Sequence, residues 1–198
     1  LPAATSPAID KGIANGLASD QRGLARTGDV GVANAAGGDG TDIGSVELQA
    51  ADCQGAGALK LDGTAGDDTL TGGPGGDELR GGRGADVLRR GDGDDLASSG
   101  RGEDNIRGNA EAHQLYGGPG ADGATGGGGN DELRGGAGPD IIDGQAGRDT
   151  IRGGRGADHL SGSAGNDDLS GGNGNDTGYG GRSTDTCASL EVVRGCET

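Results

Sequence analysis

The stretch GGRGADVLR, residues 81–89, runs directly into RGDGDDLAS, residues 90–98, and both follow one pattern that fills residues 63–188. Fourteen nine-residue units follow one another there without an insertion or a deletion. The fourth residue of a unit is Gly in twelve of the fourteen, and the eighth is Leu or Ile in ten. A fixed period of this kind indicates that each unit is one structural module stacked on its neighbours.

An aspartate occupies the sixth position of every unit except that of residues 108–116, where His113 replaces it. We predict that these carboxylates are calcium ligands, because calcium binds about six to eight oxygen atoms in flexible geometry. Glycine at the first, second and fourth positions lets the backbone turn tightly and brings carbonyl oxygens toward an ion. The predicted metal ligands are Asp68, Asp77, Asp86, Asp95, Asp104, Asp122, Asp131, Asp140, Asp149, Asp158, Asp167, Asp176 and Asp185.

The unit Gly-Gly-x-Gly-x-Asp-x-U-x, with U a large aliphatic residue, resembles the RTX (haemolysin-type) calcium-binding repeat. The resemblance implies an all-β fold, a parallel β-roll (RTX solenoid) of about seven turns over residues 63–188. It implies that six residues of each unit form a calcium-binding loop, that three form a short strand, and that two units make one turn. An ion would then lie between aspartates eighteen residues apart. Because His113 interrupts two of twelve such pairs, up to about ten calcium ions are expected.

The composition indicates that the array needs its metal. The chain of 198 residues has 50 Gly, no Phe, Trp or Met, and a net charge of −16. Ordering a glycine-rich backbone costs more than the few aliphatic side chains return, and the negative charges repel one another. We therefore expect the array to fold as it binds calcium. A disordered acidic linker is the alternative, which the constant phase of the aspartates disfavours.

The middle of the array departs from the pattern. Residues 108–116 carry both His113 and Glu111 in place of Asp and Gly, and the eighth position is Ala97 in unit 90–98 and Ala124 in unit 117–125. We predict a bend or a metal-poor gap around residues 108–125. His113 is interpreted as the mark of a decayed repeat, with a ligand for another metal as the alternative.

The segment before the repeats has a different character. Residues 1–52 resemble the closing segment of secreted right-handed parallel β-helix proteins, so residues 1–53 are interpreted as the irregular C-terminal end of an upstream β-helix or as a linker. Residues 54–62 keep the nine-residue phase but have Leu59 in the sixth position, which predicts an N-terminal cap without a calcium ligand. The residues that carry the resemblance are Asp20, Gln21, Arg22, Gly23, Asp42, Ile43, Gly44 and Glu47.

Two cysteines lie at the other end of the array. A disulfide between Cys187 and Cys196 would close the open end of the roll, where residues 189–198 are predicted to form a C-terminal cap. Such bonds persist in oxidising compartments, which favours an extracellular location. Cys53 is left without an assigned partner.

Several other function classes are disfavoured. The two histidines are isolated, and no arrangement of residues indicates catalysis. The net charge of −16 and the two tyrosines argue against nucleic-acid binding, and no apolar run is long enough to span a membrane. The tripeptide Arg90-Gly91-Asp92 is read as a chance product of repeats rich in these residues.

Two functions remain. The first is a non-enzymatic, secreted calcium-binding module that stabilises a larger extracellular or cell-surface protein, with upstream domains of the same chain as partners. The alternative is an accessory C-terminal module of an extracellular polysaccharide-active enzyme of the β-helix lyase or epimerase type, with a polysaccharide or cell-surface partner. The bias toward Gly, Ala, Arg and Asp is typical of a bacterial sequence.

Overall fold

The computed structural model describes Glu47–Leu48 and residues 57–196, and it contains seventeen β-strands and no helix within them. In the same residues, nothing forms a helix long and apolar enough to cross a membrane. The predictions for residues 1–46 and for Cys53 lie outside the described residues. The strands are β1 (Glu47–Leu48), β2 (Lys60–Asp62), β3 (Thr69–Thr71), β4 (Glu78–Arg83), β5 (Val87–Arg89), β6 (Leu96–Arg101), β7 (Asn105–Arg107), β8 (Gln114–Pro119), β9 (Gly123–Gly128), β10 (Glu132–Ala137), β11 (Ile141–Ala146), β12 (Thr150–Arg155), β13 (His159–Ala164), β14 (Asp168–Asn173), β15 (Thr177–Arg182), β16 (Thr186–Ala188) and β17 (Val192–Arg194).

The strands form two parallel sheets. Odd-numbered strands make a nine-stranded sheet in the order β1 to β17, and even-numbered strands make an eight-stranded sheet from β2 to β16. Partners within the repeats are eighteen residues apart, as when Leu133 pairs with Ile151. Two units therefore make one turn, and the strands outside the fourteen units extend the solenoid to about eight turns. The predicted all-β parallel roll is confirmed.

Most strands are longer than the resemblance implies. Ten of them have six residues, which are the last three of one unit and the first three of the next. Pairing continues into the next unit because its residues meet those of the adjacent turn in the same register, as Gly136 meets Gly154. The second position accepts this path because glycine is there: Gly82 has φ +116°, and a Cβ on it would collide with the carbonyl oxygen of Thr64. The prediction of three-residue strands was therefore too short for most of the strands.

The eighth position of each unit points into the roll. The side chains there form one buried apolar stack between the two sheets, as predicted. Where Gly178 supplies no side chain, Leu190 packs in its place. The buried residues of the stack are Leu61, Leu70, Leu79, Leu88, Ala97, Ile106, Leu115, Ala124, Leu133, Ile142, Ile151, Leu160 and Leu169.

The irregular units do not interrupt the backbone pairing. β8 pairs with β6 and β10, and β9 pairs with β7 and β11, all in the eighteen-residue register. We predict a bend or a metal-poor gap around residues 108–125. The units there depart from the repeat pattern in their interior side chains and not in their strand pairing.

The register changes only at the ends of the described roll. β1 joins the first sheet with Glu47 opposite Thr69, and β17 joins it with Val192 opposite Thr177. The predicted disulfide is present between Cys187 and Cys196, whose Cα atoms are 5.9 Å apart. The cap functions of residues 54–62 and 189–198 stay predictions.

Candidate metal centre

The sixth-position side chains line up in two columns inside the roll, one for each set of residues eighteen apart. All of them are buried, including His113. The first column contains Asp68, Asp86, Asp104, Asp122, Asp140, Asp158 and Asp176. The second column contains Asp77, Asp95, His113, Asp131, Asp149, Asp167 and Asp185.

In each column, one carboxylate oxygen of a sixth-position aspartate connects adjacent turns. Each sixth-position side chain is called a rung below. The backbone N–H of Asp140 donates to Asp158 Oδ1 at 2.9 Å, and the N–H of Asp149 donates to Asp167 Oδ1 at 2.9 Å. The same bond recurs along both columns at 2.7–3.0 Å wherever the later residue is an aspartate. Oδ1 therefore satisfies a buried backbone donor of the preceding turn.

The other carboxylate oxygen has a different environment. In Asp77, Oδ2 accepts a hydrogen bond from the N–H of Gly73 at 2.7 Å. Along the rest of both columns, ten buried Oδ2 atoms have no hydrogen-bond partner among the described residues. A buried carboxylate oxygen without a partner is costly unless a cation or a proton neutralises its charge. They belong to Asp86, Asp95, Asp104, Asp122, Asp131, Asp140, Asp149, Asp158, Asp167 and Asp176.

The first-position glycines leave space beside these oxygens. A Cβ on Gly162 would collide with Asp167 Oδ2 and lie 2.6 Å from the carbonyl oxygen of Gly180 in the next turn. A carboxylate oxygen of one turn and a carbonyl oxygen of the next thus face the same space. Both are the hard oxygen donors that calcium prefers.

Carboxylates alone do not complete a calcium site. No three His, Cys, Asp or Glu side chains among the described residues are grouped closely enough to hold a metal ion. Since calcium takes about six to eight oxygens, backbone carbonyls must supply the remainder. The residues fit calcium under that condition.

Burial strongly affects the acidity of the rungs. It raises the pKa of eight sixth-position aspartates because the charged form loses hydration, while the backbone hydrogen bond to each of the eight acts in the opposite direction. Neighbouring carboxylates, such as Asp122 and Asp158 beside Asp140, raise the pKa further. The pKa is also raised for Asp158 and Asp167. The pKa reaches about 7 for Asp140 and Asp149, and about 6 for Asp86, Asp95, Asp122 and Asp131.

A family comparison agrees with this geometry. The RTX calcium-binding nonapeptide repeat matches the chain in four copies, at residues 62–97, 89–124, 125–160 and 153–187. The chain belongs to the RTX repeat family. Repeats of this family bind calcium in general and are typically non-catalytic. No curated protein matches the sequence.

His113 takes the place of a carboxylate in the second column of the RTX array. Its Nδ1 lies 3.3 Å from the backbone N of Asp95, and its Nε2 lies 3.2 Å from the backbone N of Asn109. A neutral imidazole accepts at one nitrogen only, so one of these contacts is not a hydrogen bond. Burial and the positive charge of Arg90 lower the pKa of His113 to about 4, which leaves the ring neutral at pH 7.

Two further residues inside the RTX roll and one exposed residue at its C-terminal end are not among the predicted ligands. Arg90 and Ser99 stand at the first position, which is Gly in the other twelve units, and both are buried. Ser99 Oγ donates to the carbonyl oxygen of Gly117 at 2.9 Å. Glu191 extends the first column by accepting the N–H of Asp176 on Oε2 at 2.5 Å. Burial of Arg90 also excludes Arg90-Gly91-Asp92 as an exposed adhesion motif.

Proposed function

We propose that the thirteen sixth-position aspartates bind calcium between successive turns of the roll. The first column has six intervals between aspartates and the second has four, which makes ten candidate sites. The ten buried Oδ2 atoms without a hydrogen-bond partner carry the proposal. Bound calcium supplies the positive charge that these oxygens lack.

The chain supplies the rest of each site. Oδ1 holds the preceding turn in register, as Asp158 does for Asp140, and leaves Oδ2 directed at the space beside the first-position glycine. Residues 63–188 contain 22 acidic and 11 basic residues, so the array repels itself without metal. Folding and metal binding are therefore expected to be one coupled equilibrium.

A calcium titration of the chelator-treated chain, followed by far-ultraviolet circular dichroism, tests this proposal. We expect a cooperative gain of β-signal at calcium concentrations of about 10⁻⁴–10⁻³ M, the range of extracellular calcium modules. Magnesium is the matched control, because it demands regular octahedral geometry and dehydrates reluctantly. A β-spectrum that is complete after chelation and unchanged by calcium would contradict the proposal.

We also propose that the roll is a stabilising module of a larger secreted or surface protein. Proteins with this repeat are typically secreted, and the Cys187–Cys196 disulfide is suited to an oxidising compartment. The calcium midpoint tests this role, since a midpoint far below the concentrations outside cells would allow folding before export. The accessory role in a polysaccharide-active enzyme stays a prediction, which binding of an acidic polysaccharide to the calcium-loaded chain tests.

A further inference from the structure

Arg90 is the one buried arginine of the described residues, with 1% of its surface exposed. It stands at a first position, where other units have a glycine that leaves space beside Oδ2 of their own aspartate. Its side chain therefore begins at the point where a regular unit leaves room for a cation. The aspartate of its own unit is Asp95, and the corresponding residue of the next turn is His113.

The guanidinium contacts both turns of this interval. Nη1 donates to the carbonyl oxygens of Asp95 at 3.2 Å and of Gln114 at 3.5 Å. Burial lowers the pKa of Arg90 to about 10, and the charges of Asp95 and Asp131 oppose that decrease. Asp131 is the next rung beyond His113, so the charge of Arg90 acts across both intervals that His113 interrupts.

The negative charge around Arg90 is substantial. Oδ2 of Asp95 and of Asp131 are buried without hydrogen-bond partners in the part of the chain that the structure describes, and so is Oε2 of Glu111, whose charge acts on Asp95. His113 stands where the regular units have an aspartate and so contributes no carboxylate to this interval. Arg90 is thus a fixed positive charge near carboxylates of the kind that are proposed to bind calcium elsewhere in the columns.

We propose that Arg90 takes the place of calcium in the second column, so that no ion binds between Asp95 and Asp131. This inference rests on the proposed calcium sites of the regular intervals. A cation attached to the chain occupies the space by its bulk and repels a divalent ion, while His113 removes the carboxylate that would attract one. A site for another metal at His113 is disfavoured, because no three metal-binding side chains are grouped there among the described residues.

Counting bound calcium ions by native mass spectrometry of the whole chain tests the inference. The double variant Arg90→Gly/His113→Asp restores a regular unit and is expected to bind two more ions than the wild type. His113→Asp alone is expected to gain none, because the guanidinium remains in place. Arg89→Gly/His113→Asp is the matched control, since it removes the neighbouring exposed arginine instead, and it too should gain none.

Two results would overturn the inference: an unchanged ion count in the double variant, or a gain of two ions in His113→Asp alone. A wild type that binds no calcium at all would instead contradict the proposed function, so the two failures are distinct. If the double variant does not fold, the inference is tested instead by Arg90→Lys and Arg90→Met, whose calcium concentrations at half-maximal folding are compared with that of the wild type. We expect Met to require several-fold more calcium and Lys to stay closer to the wild type. Equal midpoints would show that Arg90 acts through packing and not through charge.

Discussion

The two columns of the roll differ in the side chains that meet the backbone donors and balance the buried charge. The first column presents an aspartate at every turn from Asp68 to Asp176, whereas the second is interrupted at His113 and has Arg90 beside the interruption. Both sheets nevertheless keep the same register past this point. The backbone of a turn therefore does not require a carboxylate in each column, provided that an acceptor meets the donor of the preceding turn and that the buried charges are balanced.

The difference separates two functions of the sixth-position aspartate. In a regular interval, Oδ1 of the later aspartate accepts the backbone N–H of the earlier one, as Asp104 does for Asp86. In the interrupted interval, Nδ1 of His113 stands opposite the backbone N of Asp95 instead. In the proposed sites Oδ2 supplies negative charge to a cation, and His113 has no equivalent of that charge. A substitution can thus preserve the contact between turns while it removes the metal ligand.

Protonation removes the charge of both columns at once and should have the largest effect. Burial raises the pKa of six of these aspartates to about 6 or 7, against about 3.9 for an unfolded chain. Between those values the folded, metal-free chain holds protons that the unfolded chain has released, so its stability falls as the pH rises from about 4 to about 7.

We therefore expect calcium-free chain to show more β-signal in circular dichroism at pH 4 than at pH 7.5. The pKa of Asp140 and Asp149 is about 7, but that of Asp95 and Asp131 is about 6, with the charge of Arg90 acting to lower it. Identical calcium-free spectra at the two pH values would argue against charge repulsion as the obstacle to folding.

Single substitutions compare the columns directly. Asp140→Ala should lose two calcium ions and raise the calcium midpoint, because it removes a ligand from two intervals and leaves the Asp122 N–H without its acceptor, a cost of about 1–3 kcal/mol. His113→Ala in the second column should lose no ion. Native mass spectrometry and circular dichroism measure both effects.

Asp140→Asn separates the two functions of the carboxylate. The amide keeps an oxygen that can accept the Asp122 N–H but loses the negative charge, so ions should be lost with a smaller decrease in stability than in Asp140→Ala. If His113→Ala also lost ions, calcium would be bound beside His113, and the two columns would not differ in metal binding there.

The most local effect is expected at the C-terminal end, where the columns end differently. Glu191, which accepts the N–H of Asp176 in the first column, lies within the loop closed by Cys187 and Cys196. Cys187→Ser/Cys196→Ser should weaken this end by about 2–3 kcal/mol. Hydrogen exchange should accelerate more at the Asp176 amide than at the Asp167 amide, which bonds to Asp185 outside the loop. Equal acceleration would show that Glu191 does not depend on the disulfide.

The regular part of the molecule could be predicted because every unit is subject to the same constraints. The eighth-position aliphatic residues form the core, the sixth-position aspartates are buried, and partners lie eighteen residues apart. The Cys187–Cys196 disulfide could be predicted because Cys187 falls on a core position at the end of the array. These features could be predicted from the repeated pattern as a whole, although no single unit would have been sufficient.

The features that escaped prediction are departures from the repeat. The sequence alone predicts a solvated charge for an arginine at position 90, and only the burial of Arg90 in the structure shows that its side chain enters the roll. Glu191 stands fifteen residues after Asp176 and not eighteen, so the period does not identify it as a rung. Strand length also depends on pairing with the next turn, which a single unit does not reveal.

The eighteen-residue register also determines how a chain of this kind can lengthen or shorten in evolution. Deletion of two consecutive units removes one turn and leaves every later strand in its own sheet. Deletion of one unit transfers every later strand to the opposite sheet, and exposed residues such as Tyr179 move to the opposite face of the roll. Changes by pairs of units therefore preserve both outer surfaces, whereas changes by single units exchange them.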